Sequence, residues 1–223
     1  MSKKFSLPAW QKTILKAIAT SDIGKIIVWG GGTALADMYL GHRRSFDLDF
    51  FVDNPLTNGE VDSILVVLRD LNIKKVNYKQ EKNRWFYFVS DKNSEIKLEF
   101  VYYPFTRLQK PKTTEYGIKV ESLTDLIANK TFALYERAEP KDVYDLYAIM
   151  QNRKMSLEKL LQLAHKKFGV DLDPVYFTAQ ITKAIEKVDL IKVLLFEKDD
   201  LRKELENYFV PKIKQLVLKR IPR

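Results

Sequence analysis

The sequence predicts an α+β fold, with a mixed β-sheet flanked by helices over residues 1–120 and a helical bundle over residues 121–223. Three observations predict it. Short β-branched and aromatic runs bounded by turn residues fill the first half. Those runs are joined by both helix-length and hairpin-length connections, which makes the sheet mixed. From Ser122 onward, apolar residues recur with helical period nearly to the end.

Pro8 to Ser21 reads as a helix, with Trp10, Ile14, Leu15 and Ile18 on one face. Lys25 to Trp29 (KIIVW) is a buried strand, and Trp29 a core residue. It runs into Gly30, Gly31 and Gly32, then into TALADMYL, which has helical spacing. Ser45 to Val52 is the second strand, and Glu60 to Leu71 an amphipathic helix after the loop Pro55 to Gly59. Three further strands span Ile73 to Lys79, Trp85 to Ser90 and Ile96 to Tyr103, the last two joined by a turn at Ser90 to Ser94. Pro104 to Tyr116 is a loop and Ile118 to Val120 a last short strand, before ESLTD caps the first helix of the bundle. Helix breaks are expected near Pro140, across Val170 to Pro174, and at Pro211.

Composition narrows the class of protein. The 223 residues include no cysteine, which removes disulfides and thiolate chemistry and fits a reducing cytoplasm. No apolar run approaches the roughly 20 residues of a membrane span. The formal net charge is +9, and residues 151–223 carry 16 Lys/Arg against 10 Asp/Glu. Such a balance suits an anionic partner, above all nucleic acid, although a solvated helical surface has the same composition. His42 and His165 are the two histidines and lack zinc-site spacing.

The chemistry sits in HRRSFDLDFF, residues 42–51. Strand alternation puts Arg44, Phe46, Leu48 and Phe50 on one face and Arg43, Ser45, Asp47 and Asp49 on the other. Two carboxylates at this spacing stand roughly 7 Å apart at their α-carbons and can converge on a hard cation such as Mg²⁺. A pair of surface acids satisfies the same alternation. In EIKLEFVYY, Ile96, Leu98 and Phe100 share one face, and Lys97, Glu99 and Val101 the other. Glu99 is thus either a third acid at the same site or a surface Glu paired with a Lys. Gly30 to Thr33 at a strand–helix junction allows close backbone approach to an anion, or serves only as a tight turn. It is neither a Walker loop nor GxGxxG. Lys130, Ala133, Leu134 and Arg137 recur at helical spacing, and Asp142 and Asp145 share a helix face. Tyr102 and Tyr103 are edge packing or base-stacking residues.

The ordered set of strand, Gly-Gly-Thr, helix, Asp-x-Asp strand and later acidic strand resembles the nucleotidyltransferase superfamily typified by DNA polymerase beta. GGTALADMYLGHRRSFDLDFF, then LEF, then NKTFALYERAEPKDVYDLY, resembles more closely the AbiEii/AbiGii toxin family, over about residues 28–148. The resemblance implies a nucleotidyltransferase-like sheet domain, with the helical domain completing the active site. It implies Asp47, Asp49 and Glu99 as ligands of two Mg²⁺ ions. Gly31, Gly32, Thr33, Arg43 and Ser45 would meet the phosphates of an NTP. Lys130 would contact the triphosphate, Asp145 would complete the site, and Arg137, Lys141 and Asp142 would support the helix pair or the nucleotide. The acceptor it implies is the 3′ end of tRNA or another RNA, with a cognate antitoxin protein as partner and no membrane. Two other classes share features of the sequence. They are a small-molecule nucleotidyltransferase of the aminoglycoside-modifying kind and a non-catalytic basic nucleic-acid-binding module.

Overall fold

Alternating side chains build the centre of a seven-stranded sheet in the computed structural model, which describes residues 5–71, 73, 75–90, 95–196 and 200–219. Among these residues the sheet strands are β1 (Ile27–Gly30), β2 (Leu48–Val52), β3 (Lys75–Glu81), β4 (Arg84–Ser90), β5 (Glu95–Tyr102), β6 (Lys112–Thr113) and β7 (Lys119–Val120). Their spatial order is β3-β4-β5-β2-β1-β7-β6. The pairs β2/β5 and β1/β7 are parallel and the others antiparallel, so the sheet is mixed as expected. Leu48, Phe50, Leu98, Phe100, Trp85 and Tyr87 point to one side and are buried, with Phe50 stacked on Phe100 at 4.8 Å. Trp29 is fully buried in the same core.

Helices α1 (Ala9–Thr20) and α4 (Asn58–Asp70) cover that apolar face. Thr57 and Glu60 form a reciprocal capping box at the start of α4. A single helical turn, α2 (Ile23–Ile26), takes the first half of the expected KIIVW strand, so β1 starts at Ile27. After β1 the chain turns through glycine into α3 (Gly31–Ala34), which continues as a π-helix over Leu35–Leu40. Burying Asp37 accompanies that widened turn, because its carboxylate accepts from the Leu7 N–H and the Tyr116 hydroxyl. The expected turn at Ser90 to Ser94 lies, from residue 91 on, outside the described residues.

The helical part comprises α5 (Leu123–Arg137), α6 (Pro140–Arg153), α7 (Leu157–Phe168), α8 (Pro174–Glu186), a 3₁₀ segment (Val188–Leu194) and α9 (Leu201–Leu218). Leu134, Leu146, Ile149, Phe177, Ile181 and Phe209 form its core. The expected breaks at Pro140 and Pro174 are first-turn prolines of α6 and α8. The expected break at Pro211 does not occur: Pro211 lies inside α9. Pro211 and Asn207, whose carbonyl loses its helical donor, both lie on the exposed side of the helix.

A second departure concerns the approach to β2. The strand begins at Leu48, not Ser45, and the preceding residues pair with no strand. Without a neighbouring strand to hold the alternation, Phe46 is 40% exposed rather than in the core. Arg43 is buried, with its guanidinium bound to Asp145. Arg44 is exposed over the Phe196 ring, with its N–H donating to the Leu194 carbonyl.

Candidate active site

Register places the acids. Asp49 pairs with Gly30 on one side and with Glu99 on the other, so the two carboxylates emerge side by side from β2 and β5. Burial, together with the neighbouring Glu99 charge, pushes the Asp49 carboxyl up to about 6. Glu99, itself buried, accepts from Arg84 Nε at 2.5 Å and from Lys97 Nζ at 2.8 Å. Lys97 Nζ also stands 3.9 Å from Asp47 Oδ2. Asp47, just ahead of the strand, is about half exposed. Among the described residues no three His, Cys, Asp or Glu side chains converge tightly enough to hold a metal unaided. Lys97 and Arg84 stand among the acids instead.

The glycine turn is shaped around Asp49. Gly31 has φ +70°, and a Cβ there would lie 1.9 Å from Asp49 Oδ2. A Cβ on Gly32 would lie 2.7 Å from Arg43 Nη2 and 3.5 Å from Lys130 Nζ. The turn thus touches the acids on one side and a set of cations on the other. The Thr33 hydroxyl donates to Ser45 Oγ at 2.8 Å, which ties the lead-in of β2 to the turn.

Those cations are fixed by two fully buried aspartates of α6. Their three-residue spacing turns both toward α5. Lys130 Nζ lies 2.9 Å from Asp142 Oδ1 and 2.7 Å from Asp145 Oδ2. Arg43 holds Asp145 through two bonds, Nε to Oδ1 at 2.6 Å and Nη2 to Oδ2 at 2.9 Å. His42 Nε2 adds a third contact to Asp145 at 2.7 Å. Arg137 Nε donates to Asp142 Oδ2 at 2.8 Å. Burial opposes ionisation of Asp145, but Arg43, Lys130 and His42 outweigh it and hold its carboxyl well below the usual range. Burial pushes His42 down. Burial also opposes the Lys130 charge, and Asp142 and Asp145 reverse that, so Lys130 stays charged.

The acids, the turn and the cations line one cleft of about 690 Å³. Helix α5 forms its wall through Leu126, Asn129, Lys130, Ala133 and Arg137, as helical spacing predicts, whereas Leu134 turns into the bundle core. Asp47, Asp49, Glu99, Gly31, Gly32, Arg43, Ser45, Lys130 and Arg137 all border the cleft. Thr33 and Asp145 stand behind it and act through Ser45, Arg43 and Lys130. Sequence reasoning missed Arg84, and it missed that Lys97 bridges two of the acids. The signal for Lys97 was present in its shared face with Glu99. Arg84 gave none, because its place follows from the β4/β5 register.

An uncharacterized protein of Aquifex aeolicus (strain VF5), aq_aa25, is 26% identical over 206 residues, covering 92% of this chain and 95% of that protein. The crystal structure of JHP933 from Helicobacter pylori has a similar fold, with TM-score 0.57, 20% identity, and coverage of 94% of this chain and 91% of that one. MenT4, a nucleotidyltransferase toxin from Mycobacterium tuberculosis H37Rv, shares the fold with TM-score 0.50, 15% identity, and coverage of 94% and 90%. The family model described as "Nucleotidyl transferase AbiEii toxin, Type IV TA system" matches residues 13–222, and the chain belongs to that family, as a nucleotidyltransferase.

Proposed function

We propose that the protein transfers a nucleoside monophosphate from an NTP to the 3′ end of tRNA. It does so in the cytoplasm, with Mg²⁺, as the toxin of a toxin–antitoxin or abortive-infection pair with a cognate antitoxin protein. One observation carries the reading. The Gly31–Gly32 turn is pressed between Asp49, with Glu99 beside it, and the ammonium of Lys130. A triphosphate needs that combination: close backbone approach, a fixed cation, and carboxylates for its counter-ion.

The donor set fits Mg²⁺, because Asp47, Asp49 and Glu99 offer only hard oxygens and Asp49 is ill at ease ionised without a cation. When bound, such ions stabilise the entering and leaving oxygens at the α-phosphate. The chain's own residues do the rest. Lys130 uses two of its three donors on Asp142 and Asp145 and keeps one for a phosphate oxygen. Arg43, its Nε and Nη2 spent on Asp145, adds fixed positive charge beside Gly32. Ser45 and Thr33 hold the lead-in that carries Asp47. The net charge of +9 supports an RNA acceptor held by salt-sensitive phosphate contacts.

The test is incubation of the protein with each labelled NTP and tRNA, followed by a denaturing gel, with Asp49→Asn in parallel. Label on tRNA that disappears in Asp49→Asn is the expected result. Undiminished labelling by Asp49→Asn would falsify the site. Label on an aminoglycoside but not on RNA would replace the acceptor.

A further inference from the structure

The outer face of β4 departs from the polar pattern of a solvent-facing strand. Trp85, Tyr87 and Val89 point into the core. Alternation then sends Phe86 and Phe88 to the other face, where an antiparallel strand ordinarily carries polar residues. Both rings stay partly exposed and lie nearly parallel, with centroids 6.4 Å apart. Register ties that face to the acids. Asp49 pairs with Glu99, Glu99 with Phe86, and Phe86 with Lys79, so one line of side chains crosses the sheet from the acids to the edge strand. The neighbouring line runs Lys97, Phe88, Asn77. Arg84 and Lys97, which border the cleft, stand over the Phe86 ring at 5.6 and 5.8 Å, so the face begins where the cleft opens. Lys75, Asn77 and Lys79 of β3 are exposed. Residues 75–90 hold four Lys/Arg against one acid, Glu81, which Lys79 already pairs. Glu95 adds one more acid at the start of β5, opposite Ser90 and away from the site.

We propose that this face of β3 and β4 is the platform on which the single-stranded 3′ end of the RNA acceptor lies as it enters the cleft. The inference rests on the nucleotidyltransfer reading of the cleft. Three observations carry it. The first is composition: outward-facing rings beside Lys and Arg match the unpaired bases and the phosphates of a single strand, whereas a duplex has no free base face to offer them. The second is position. Strand spacing sets Phe86 about 5 Å and Lys79 about 10 Å beyond Glu99. The third is direction. Asp49 has the glycine strand on one side and Glu99, then Phe86, on the other. A strand lying on Phe86 and Phe88 therefore brings its terminal hydroxyl to the acids from the side opposite the Gly31–Gly32 turn. An in-line displacement requires that the entering hydroxyl and the leaving phosphates lie on opposite sides of the reacting phosphorus. Asn77, beside Phe88, exposes an amide that can meet a base edge.

Fluorescence anisotropy with two labelled RNA hairpins tests this. One is blunt and the other carries a short single-stranded 3′ overhang, and each is titrated in Mg²⁺ over a range of salt. The wild-type protein should bind the overhang hairpin more tightly. Phe88→Ala should weaken that binding about 5- to 100-fold, the range for loss of one aromatic stacking partner, and leave the blunt hairpin unchanged. Phe88→Trp should keep the wild-type affinity. Lys79→Ala, at an exposed side chain, should make the log–log salt slope shallower by about 0.7, the loss of one phosphate contact on a single strand. Calorimetry with each NTP should show donor binding unchanged in all three variants, with circular dichroism as the check of folding. Equal binding of the two hairpins by the wild-type protein overturns the platform. So does a Phe88→Ala protein that keeps full affinity for the overhang, or one that loses NTP binding by the same factor. If Phe88→Ala does not fold, an unchanged salt slope in Lys79→Ala overturns it. Overhang binding that depends on Phe88 in a protein that binds no NTP upholds the platform and overturns the nucleotidyltransfer reading.

Discussion

Two ionic clusters face each other across the glycine turn, and they are built on opposite plans. In the helical cluster, Lys130, Arg43 and Arg137 meet Asp142 and Asp145, three cations against two fully buried carboxylates, with His42 closing the set. In the sheet cluster, Asp47, Asp49 and Glu99 meet Lys97 and Arg84, three carboxylates against two cations. The first is closed: each aspartate holds its cations at hydrogen-bond distance, and Asp145 stays ionised at acid pH. The second is unfinished: Asp49 is pushed up to about 6 and Asp47 stands half in water. The contrast separates positioning from reaction. The helical cluster fixes its positive charge through its own two aspartates. The sheet cluster carries one more carboxylate than cation.

The comparison breaks most visibly at Asp49. Asp49→Asn should lower the rate of nucleotide transfer by at least about 100-fold, the scale of losing a preorganised charge in a reacting site. Its thermal stability should stay level or rise, because the wild-type carboxyl is ionised against burial and a like charge. A large drop in melting temperature would show the sheet cluster to be structural instead.

Asp145→Asn should do the reverse. It strands Arg43 and Lys130 without their shared anion, which costs about 3–5 kcal/mol in stability by chemical denaturation. The pH dependence follows from the directions of two shifts. Asp145 is held low when folded, so its contribution is complete above the ordinary carboxylate range and drains away as pH falls toward its folded value. His42 is also pushed down, so below about pH 6.5 the unfolded chain takes up a proton that the folded chain refuses. Both make the protein less stable toward acid, and Asp145→Asn should flatten that acid limb.

Gly31→Ala should disturb the sheet cluster through the turn. Its positive φ and the 1.9 Å approach to Asp49 predict a loss of about 1–3 kcal/mol in stability together with a fall in transfer. Gly59→Ala in α4, where nothing lies within 4 Å of an added Cβ, is the control and should change neither. The smallest effect belongs to Lys97→Met. Removing this partly exposed cation from among the acids should tighten Mg²⁺ binding about 3-fold in a calorimetric titration. Weaker binding would mean that Lys97 organises the carboxylates rather than competing for them.

Particular residues show how much of this was legible in the sequence. Asp49, Leu48 and Phe50 were placed correctly by alternation because β1 and β5 pair with that stretch and enforce it. Phe46, three residues earlier, was not, because no strand pairs with the chain there. Arg43 borders the cleft with Asp47 and Asp49, but its partner Asp145 is a long-range charge that no local pattern encodes. Lys130, Asp142 and Asp145 were legible as helix faces, but that the two aspartates share Lys130 depends on how α5 and α6 pack. Pro211 misled because the rule against internal proline weakens on the exposed side of a helix.

Asp145 lies 102 residues after the arginine it holds. During synthesis from the N-terminus, the sheet and both aspartates of Asp-x-Asp emerge long before α6. Until residue 145 leaves the ribosome, Arg43 has no anchor and Lys130 lacks one of its two. The fixed positive charge of the cleft is therefore assembled late, and a prematurely terminated chain that folds its sheet carries the acids of the cleft without the anchored Arg43 and Lys130.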